Sequence, residues 1–410
     1  MSGMRKLVNK LIYISNARLP TEKAHGYQVC KMCEAFAQNG VEVQLWHPYR
    51  HQVSSELKGR GVFDYYGLPQ VFGVRTVRNF DVVRLERVFP RASFTPVFFA
   101  HAFLWALYVA LSVRREMADL YYTRDSVVAY WLLRLGLPTV YEEHTVPRRA
   151  RRGILRRIAC DSELRRVVVL TSFIKKGFLQ MGFSDEKVVV LPDGVDLSLF
   201  ANLPSREECR ERLGLPQERP IIGYIGRFQT LGEEKGIPEL VQAIAGLPSI
   251  NGEEPLLLCV GGPMNPVPTY LKLACRIGLS ERRLKFIDHV AHVDVPYWIR
   301  AFDVAVAPFP NTEHYSYFMS PLKLFEYMAA GVPIVVSDLP SIREIVRHGE
   351  NAWLVKSSDP DALALGIQYV LENHHLARKL ADQATRDVQK YTWHNRANHL
   401  LKGITMEMHR

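Results

Sequence analysis

Low-complexity tracts and short-period repeats are both missing from this sequence. That leaves neither a repeat array nor a disordered chain as the starting expectation. Cysteine is scarce, with six in the chain. Cys30 and Cys33 form a CxxC inside "YQVCKMCEAF", which reads as a helix. The CxxC lies in a helix-like stretch, and the expectation is buried thiols in a reducing cytoplasm. Asn9 and Lys10 break the apolar run after Arg5 and Lys6, so no signal peptide is expected. Long uncharged runs are also rare. The one that stands out is "FTPVFFAHAFLWALYVALSV", residues 94–113, followed by Arg114 and Arg115. Its length approaches a membrane span, but it contains Pro96 and His101 and leads directly into the strand-like "DLYYTRD". Three readings stand: a helix packed on a sheet, which is the expectation, an interfacial membrane-seeking helix, or a span.

What the sequence does contain is length and basic charge. Its 410 residues exceed one ordinary core, so two domains are expected. The net charge is +10, and it is unevenly placed. Residues 1–200 hold 29 Lys and Arg against 18 Asp and Glu, whereas the remainder holds 23 against 24. The excess is either solubility charge or the mark of an anionic partner of the first domain, such as an acidic lipid surface or a phosphate-bearing acceptor. The densest cluster is "RRARRGILRR", Arg148 to Arg157. Nothing that reads nucleic acid accompanies it.

Strand-like apolar runs alternate with helix-length segments throughout. "KLIYIS", "VEVQLW", "DLYYTR", "LPTVYEEH", "RRVVVLTS" and "KVVVLPDG" fill the first half. "PIIGYIG", "EPLLLCVGG", "RLKFIDHV", "DVAVAPF" and "VPIVVSD" fill the second. This predicts an α/β fold of two doubly wound domains with buried parallel strands and a seam near residues 194–206. Their strand ends are expected to face one another across an interdomain cleft.

Five stretches are candidates for chemistry. In "SPLKLFEYMAAGVPIVVSD", residues 320–338, Ser320 is expected to cap a helix whose first residue is Pro321. The N–H groups of Leu322 and Lys323 would then meet a phosphate at the positive helix end. Glu326, almost a turn on, could accept two hydrogen bonds from a vicinal diol such as a ribose. The alternative is a capped amphipathic helix with a surface glutamate. In "YIGRFQTLGEEKG", the chain leaves a strand at Gly226. Arg227 and Lys235 on the following loop could neutralise a departing diphosphate, or be ordinary solvated cations. His144 in "VYEEHTVP" follows a first-domain strand and is either structural or functional. Asp193-Gly194 in "LPDGVDLSLF" form a tight turn at another strand end. Gly26 in "ARLPTEKAHGYQV", preceded by His25, opens the first helix and could let a ligand approach the backbone closely.

Taken in this order, Gly26, "YEEH", "VVVLPDGVD", "GYIGR...EKG", "VGGP" and "SPLKLFEYMAAGVPIVVSD" resemble glycosyltransferase family 4, the retaining group 1 enzymes of the GT-B fold. The resemblance covers nearly the whole chain. It implies two facing Rossmann-like domains: an acceptor-side domain over 1–198, to which a helix over 392–410 crosses back, and a nucleotide-sugar donor domain over 199–391. It implies a hexosyltransferase that uses a nucleotide sugar as co-substrate, with a carbohydrate or lipid-linked acceptor and neither cofactor nor essential metal. Arg227 and Lys235 would hold the donor diphosphate and Glu326 the ribose. The N–H groups of Leu322 and Lys323 would meet the phosphate, and His144 would lie near the donor sugar. "FIDHV", with His289, would border the base, and His25, Gly26 and Asp193 would lie on the acceptor and diphosphate side. An anionic membrane surface touching 94–115 and 148–157 would make the enzyme cytoplasmic and peripheral on the inner face of the membrane.

Two departures stand out. The glutamate that family members often carry eight positions before Glu326 is replaced by Phe318, so that backbone groups and other side chains would grip the sugar, or its hydroxyl contacts would differ, with Glu313 five residues earlier as a further alternative. Asp288 occupies a base-loop position where many relatives have glycine. The literal Asp-x-Asp at Asp359 and Asp361 precedes a helix and reads as an N-cap rather than a metal site. Rival readings are an epimerase on the same fold and a non-catalytic nucleotide-sugar-binding protein. A phosphorylase would need a lysine for pyridoxal phosphate, and no candidate is evident.

Overall fold

A computed structural model describes residues 8–51, 57–78, 91–147, 151–230 and 233–405, with residues 91–98, 230 and 405 in backbone only. Arg148 and Arg149, and the side chains of 94–98, therefore lie outside the described residues. The chain divides into one unit formed by Met1–Pro192 with Trp393–Arg410, and a second formed by Asp193–Thr392. The division falls a few residues before the expected seam for a local reason. Val195 donates its N–H to the Tyr391 carbonyl at 2.9 Å and bridges Thr392, tying the stretch after Asp193 to the second unit.

The first unit is built on seven strands: β1 (Lys10–Ile14), β2 (Glu42–Pro48), β3 (Gly73–Val77), β4 (Leu120–Thr123), β5 (Thr139–Glu143), β6 (Leu164–Val169) and β7 (Val188–Val190). They pair in parallel in the order β3-β2-β1-β4-β5-β6-β7. Every residue of β4 and β5 is buried, which explains why these strands read as apolar runs without alternation. The connecting helices are α1 (Ala24–Gln38), α2 (Val62–Tyr66), α3 (Arg91–Val113), α4 (Ser126–Arg134), α5 (Arg152–Ala159) and α6 (Ser172–Gln180). Strand order reverses at β1/β4. Right-handed crossovers then place α1 on one face of the sheet and α3 to α6 on the other. The CxxC lies within α1, where Cys30 and Cys33 are buried and unpaired.

The second unit opens with α7 (Arg206–Leu213). Its strands are β8 (Ile221–Ile225), the short hairpin β9 (Gln229–Thr230) and β10 (Glu233–Glu234), then β11 (Leu256–Val260), β12 (Leu284–Ile287), β13 (Val304–Ala307), β14 (Ile334–Ser337) and β15 (Trp353–Val355). Six form a parallel sheet in the order β12-β11-β8-β13-β14-β15, reversing at β8/β13. The helices are α8 (Ile237–Ala245), α9 (Val267–Arg276), α10 (Val295–Arg300), α11 (Leu322–Ala330), α12 (Pro340–Arg343), α13 (Pro360–Glu372) and α14 (His374–Asp387). Asp359 caps α13 by accepting from the Ala362 N–H at 3.0 Å, and Lys356 bonds its other oxygen, so the Asp-x-Asp is spent on a helix start. The last helix, α15 (Trp393–Thr405), packs on α1 and belongs to the first unit. Two doubly wound parallel sheets make this a two-domain Rossmann-like GT-B fold.

Candidate functional site

In open α/β sheets ligands bind beyond the carboxyl ends of the strands, at the point where strand order reverses. In the second unit that point is the end of β8. All five of its residues are buried, and the chain leaves it through Gly226 at φ +112°, a backbone state that favours glycine. The Gly226 N–H donates to the Val260 carbonyl (2.8 Å) and Tyr224 OH donates to the Arg227 carbonyl (2.8 Å), so Arg227 starts from a fixed backbone. Helix α11 is pinned above it. Tyr327 OH accepts from the Ile225 N–H at 2.9 Å and donates to the Val306 carbonyl.

The start of α11 departs from the sequence expectation. The helix begins at Leu322, and Pro321 is the extended residue before it, with no side-chain cap. Ser320 is buried, and its hydroxyl accepts from the Asp193 N–H at 2.9 Å. It anchors the Asp193 turn rather than capping α11. The first-turn N–H groups, Leu322 and Lys323 among them, have no carbonyl one turn back to bond within the helix.

The Lys323 side chain, singled out from sequence only for its position, turns back beneath Gly226. Its ammonium lies 3.5 Å from the Tyr224 ring centroid and 5.6 Å from that of Phe309, closed off from solvent and without a hydrogen-bond partner. Burial drives its pKa well below the usual lysine range, and Lys235 adds to the effect. Burial and the Arg227 guanidinium bring Lys235 itself down to about 8. Glu326 is no surface group: its side chain is 13% exposed. Burial raises its carboxyl to about 7 against the opposing pull of Lys323. The structure therefore brings Arg227, Lys235, Lys323 and Glu326 into one electrostatically coupled cluster.

Two histidines join this cluster that sequence reasoning missed. His292 Nε2 lies 3.9 Å from Glu326 Oε1, and His314 feels both Glu233 and Lys235. The signal for His314 was present in "HYSYF", which forms a single π-helical turn, His314–Phe318, a geometry frequent at functional sites. Phe318 ends that turn half-buried, and Glu313 is exposed at its start. His289 is exposed, and its N–H donates to Asp288 Oδ1 at 2.8 Å. That carboxylate fills the space where a Cβ on Gly262 would sit, at 2.2 Å.

In the first unit the reversal at β1/β4 gathers a different set. Arg124 follows β4 directly and His144 follows β5. Arg124 Nη2 donates to His144 Nδ1 at 2.6 Å, and His144 Nε2–H donates to Glu142 Oε1 at 2.5 Å. Burial and Arg124 hold His144 at about 4, so the imidazole is neutral near pH 7 with both nitrogens engaged. Burial opposes ionisation of Glu142, but Arg396, His144 and Arg124 overcome it and keep the carboxyl well below its ordinary value. Arg396 reaches Glu142 from α15 at 3.3 Å and also bonds the Pro192 carbonyl at 3.0 Å. His25 is likewise lowered to about 4 by burial and Arg124. Arg124 thus links His25 and His144. Its place immediately after a strand in "YYTRD" was the sequence signal for it.

Gly26 is the third residue of α1, and the structure supplies its reason. A Cβ there would lie 2.1 Å from the Tyr66 hydroxyl and 2.5 Å from Thr21 Cγ2. Tyr66 donates to the Thr21 carbonyl and accepts from the Thr21 N–H. The side of Gly26 on which a Cβ would lie is filled by the protein's own tyrosine, which is why the position takes glycine.

Known proteins fit this picture in two steps. Among solved structures, a glycosyltransferase from Rickettsia africae superposes with a TM-score of 0.72 at 15% identity, covering 98% of this chain and 99% of that one. The HepE protein of Anabaena, solved with UDP and glucose, gives 0.69 at 19% identity over 97% and 100%. At these identities the likeness establishes the GT-B fold.

The family follows from sequence. Residues 26–199 match the description "Glycosyltransferase Family 4" and residues 219–373 match "Glycosyl transferases group 1". The chain belongs to the group 1, family 4 type of glycosyltransferases. Similar curated proteins include D-inositol 3-phosphate glycosyltransferases of Xylanimonas cellulosilytica (32% identical over 53% of this chain and 50% of that one) and Thermobispora bispora (28%, over 55% and 52%). The chain thus matches about half the length of these relatives.

Proposed function

We propose that this protein transfers a sugar from a nucleotide diphosphate sugar to a hydroxyl of a carbohydrate or lipid-linked acceptor, with retention at the anomeric carbon and without a metal ion. The observation that carries this reading is the second-unit cluster. Arg227, Lys235 and the mouth of α11 supply positive charge beside a strand end, and one shielded carboxylate, Glu326, is suited to a vicinal diol. The relatives named as inositol 3-phosphate glycosyltransferases and the HepE complex with UDP and glucose support it.

The chemistry is a front-face displacement. The bond from the anomeric carbon to the diphosphate oxygen breaks, and the bond to the acceptor oxygen forms on the same face. The acceptor proton passes to the departing diphosphate oxygen. Negative charge grows on the diphosphate, where Arg227, Lys235 and the N–H groups of Leu322 and Lys323 stabilise it. His144, neutral and doubly hydrogen-bonded, is assigned to positioning the donor sugar rather than to proton abstraction.

The test begins with a thermal-shift screen of nucleotide sugars, since a bound donor stabilises the fold by mass action. With the donor so identified, its turnover is measured for the wild type and for Arg227→Ala and Lys235→Ala. Each variant is expected to lose roughly a hundredfold or more in rate, about 3 kcal/mol of transition-state stabilisation. EDTA is expected to leave wild-type turnover unchanged. Near-normal rates in both variants would overturn the assignment.

A further inference from the structure

Over its described side chains, residues 99–113, helix α3 settles into the first unit by one face. Trp105, Ala106, Val109, Ala110 and Val113 are buried against Ile12, Trp46, Tyr121 and Leu132. That packing excludes a membrane span, and among the described residues no helix is long and apolar enough to cross a bilayer. The opposite face should then be polar, as on any helix laid on a sheet. It is not. Phe103 (43%), Leu104 (63%), Tyr108 (53%) and Leu111 (47%) are exposed along it, with Phe99 one turn earlier. From Phe99 to Leu111 the stripe runs about 18 Å. Contiguous apolar surface of this kind marks an interaction site.

Charge identifies the partner. Helices α3, α4, α5 and α6 lie on the same face of the sheet, and α4 packs against both α3 and α5. None of the four contains an aspartate or a glutamate. Each runs antiparallel to the strands, so their last turns lie at one edge of the layer, away from the strand ends that carry the site. That edge bears Arg114 and Arg115 just after α3, Arg134 ending α4, and Arg156 and Arg157 ending α5, all exposed. The carboxylates near that edge lie in the connections rather than the helices, and three are paired: Glu116 with Arg75 at 2.6 Å, Glu163 with Arg165 at 2.9 Å and Asp185 with Lys175 at 2.9 Å. An apolar stripe ending in a row of arginines, on helices without carboxylates, matches the two parts of an anionic bilayer surface: acyl chains beneath, phosphates above. A second copy docking through the same face would bring like charges together.

We propose that this face is a membrane-docking surface. The α3 stripe from Phe99 to Leu111 enters the interfacial zone of an anionic bilayer, and the arginine row engages lipid phosphates. A hydroxyl acceptor held in a membrane would then be met by an enzyme already bound to the same surface.

The test uses the full chain in vesicle flotation, with phosphatidylcholine alone or mixed with phosphatidylglycerol. Binding is expected to the mixed vesicles at low ionic strength and not to neutral ones. It should weaken strongly near 1 M salt, where the Debye length falls to about 3 Å. The double variant Leu104→Glu/Leu111→Glu should abolish it, and Arg114→Glu/Arg115→Glu should weaken it by about tenfold or more. These positions are exposed, so melting temperature and nucleotide-sugar binding should be unchanged in both variants, which separates this outcome from failure of the donor assignment. Equal binding by the Leu104→Glu/Leu111→Glu variant, or no binding by the wild type at low salt, overturns the proposal. A wild-type dimer in solution that becomes a monomer in that variant also overturns it, because the face is then a self-interface.

Discussion

Lys235 and Glu326 are held off their ordinary titration ranges in opposite directions, and together they define a pH window for donor binding. A diphosphate favours the ammonium form of Lys235, whose pKa in the unoccupied protein is about 8. Above that pH, binding must draw in a proton, so affinity falls as pH rises. Glu326 accepts hydrogen bonds fully only as a carboxylate, and its pKa is about 7. Below that pH, affinity falls as pH drops. Titration calorimetry with a nucleotide sugar, which does not itself titrate in this range, should show strongest binding between about 7 and 8. Loss on the alkaline side should be at most about tenfold per pH unit. Lys235→Arg should move the alkaline limb upward and Glu326→Gln should remove the acid limb. Affinity flat from pH 6 to 9.5 in the wild type would refute the window.

Elements, more than single residues, were readable from sequence. The parallel strands announced themselves as apolar runs because both faces of each sheet are covered, and the alternation of strands and helices followed. Arg227, Lys235 and Glu326 were legible because each follows a strand end or a helix start in a recognisable frame. Glu142 and Arg396 were not, because their role arises when residues far apart in sequence meet at one carboxylate. Ser320 misled for a related reason: it looks like a cap locally, but a distant N–H, that of Asp193, claims its hydroxyl.

The loop carrying Lys235 rests on a similar long-range contact. Gly236, at φ +84°, starts α8, and a Cβ there would lie 1.8 Å from the Pro308 carbonyl oxygen. Gly236→Ala combines a strained backbone with a clash against main chain and should cost about 2 kcal/mol or more. For a unit of this size that is a drop of roughly 5 °C in Tm. Gly246→Ala, at φ −79° with its nearest neighbour at 3.6 Å, should be nearly neutral. Equal melting of the two variants by calorimetry would contradict this account.

At the scale of the whole molecule, the two units differ in how the chain composes them. The second is one continuous segment, whereas the first needs both ends of the chain. Helix α15 packs on α1, and its Arg396 supplies the countercharge for buried Glu142 and bonds the carbonyls that close β7. Residues 193–392 expressed alone should therefore melt cooperatively. Residues 1–192 alone should not, because α1 would lose the helix that packs on it and Glu142 would keep Arg124 but not Arg396 as countercharge. Cooperative melting of the 1–192 fragment by circular dichroism would argue against this. The order of synthesis carries the same asymmetry. On the ribosome the second unit can be finished while the unit begun earlier still waits for α15. The partly made first unit, including the α3 stripe, stays incomplete until α15 has been made, and α15 acts as the latch that completes it.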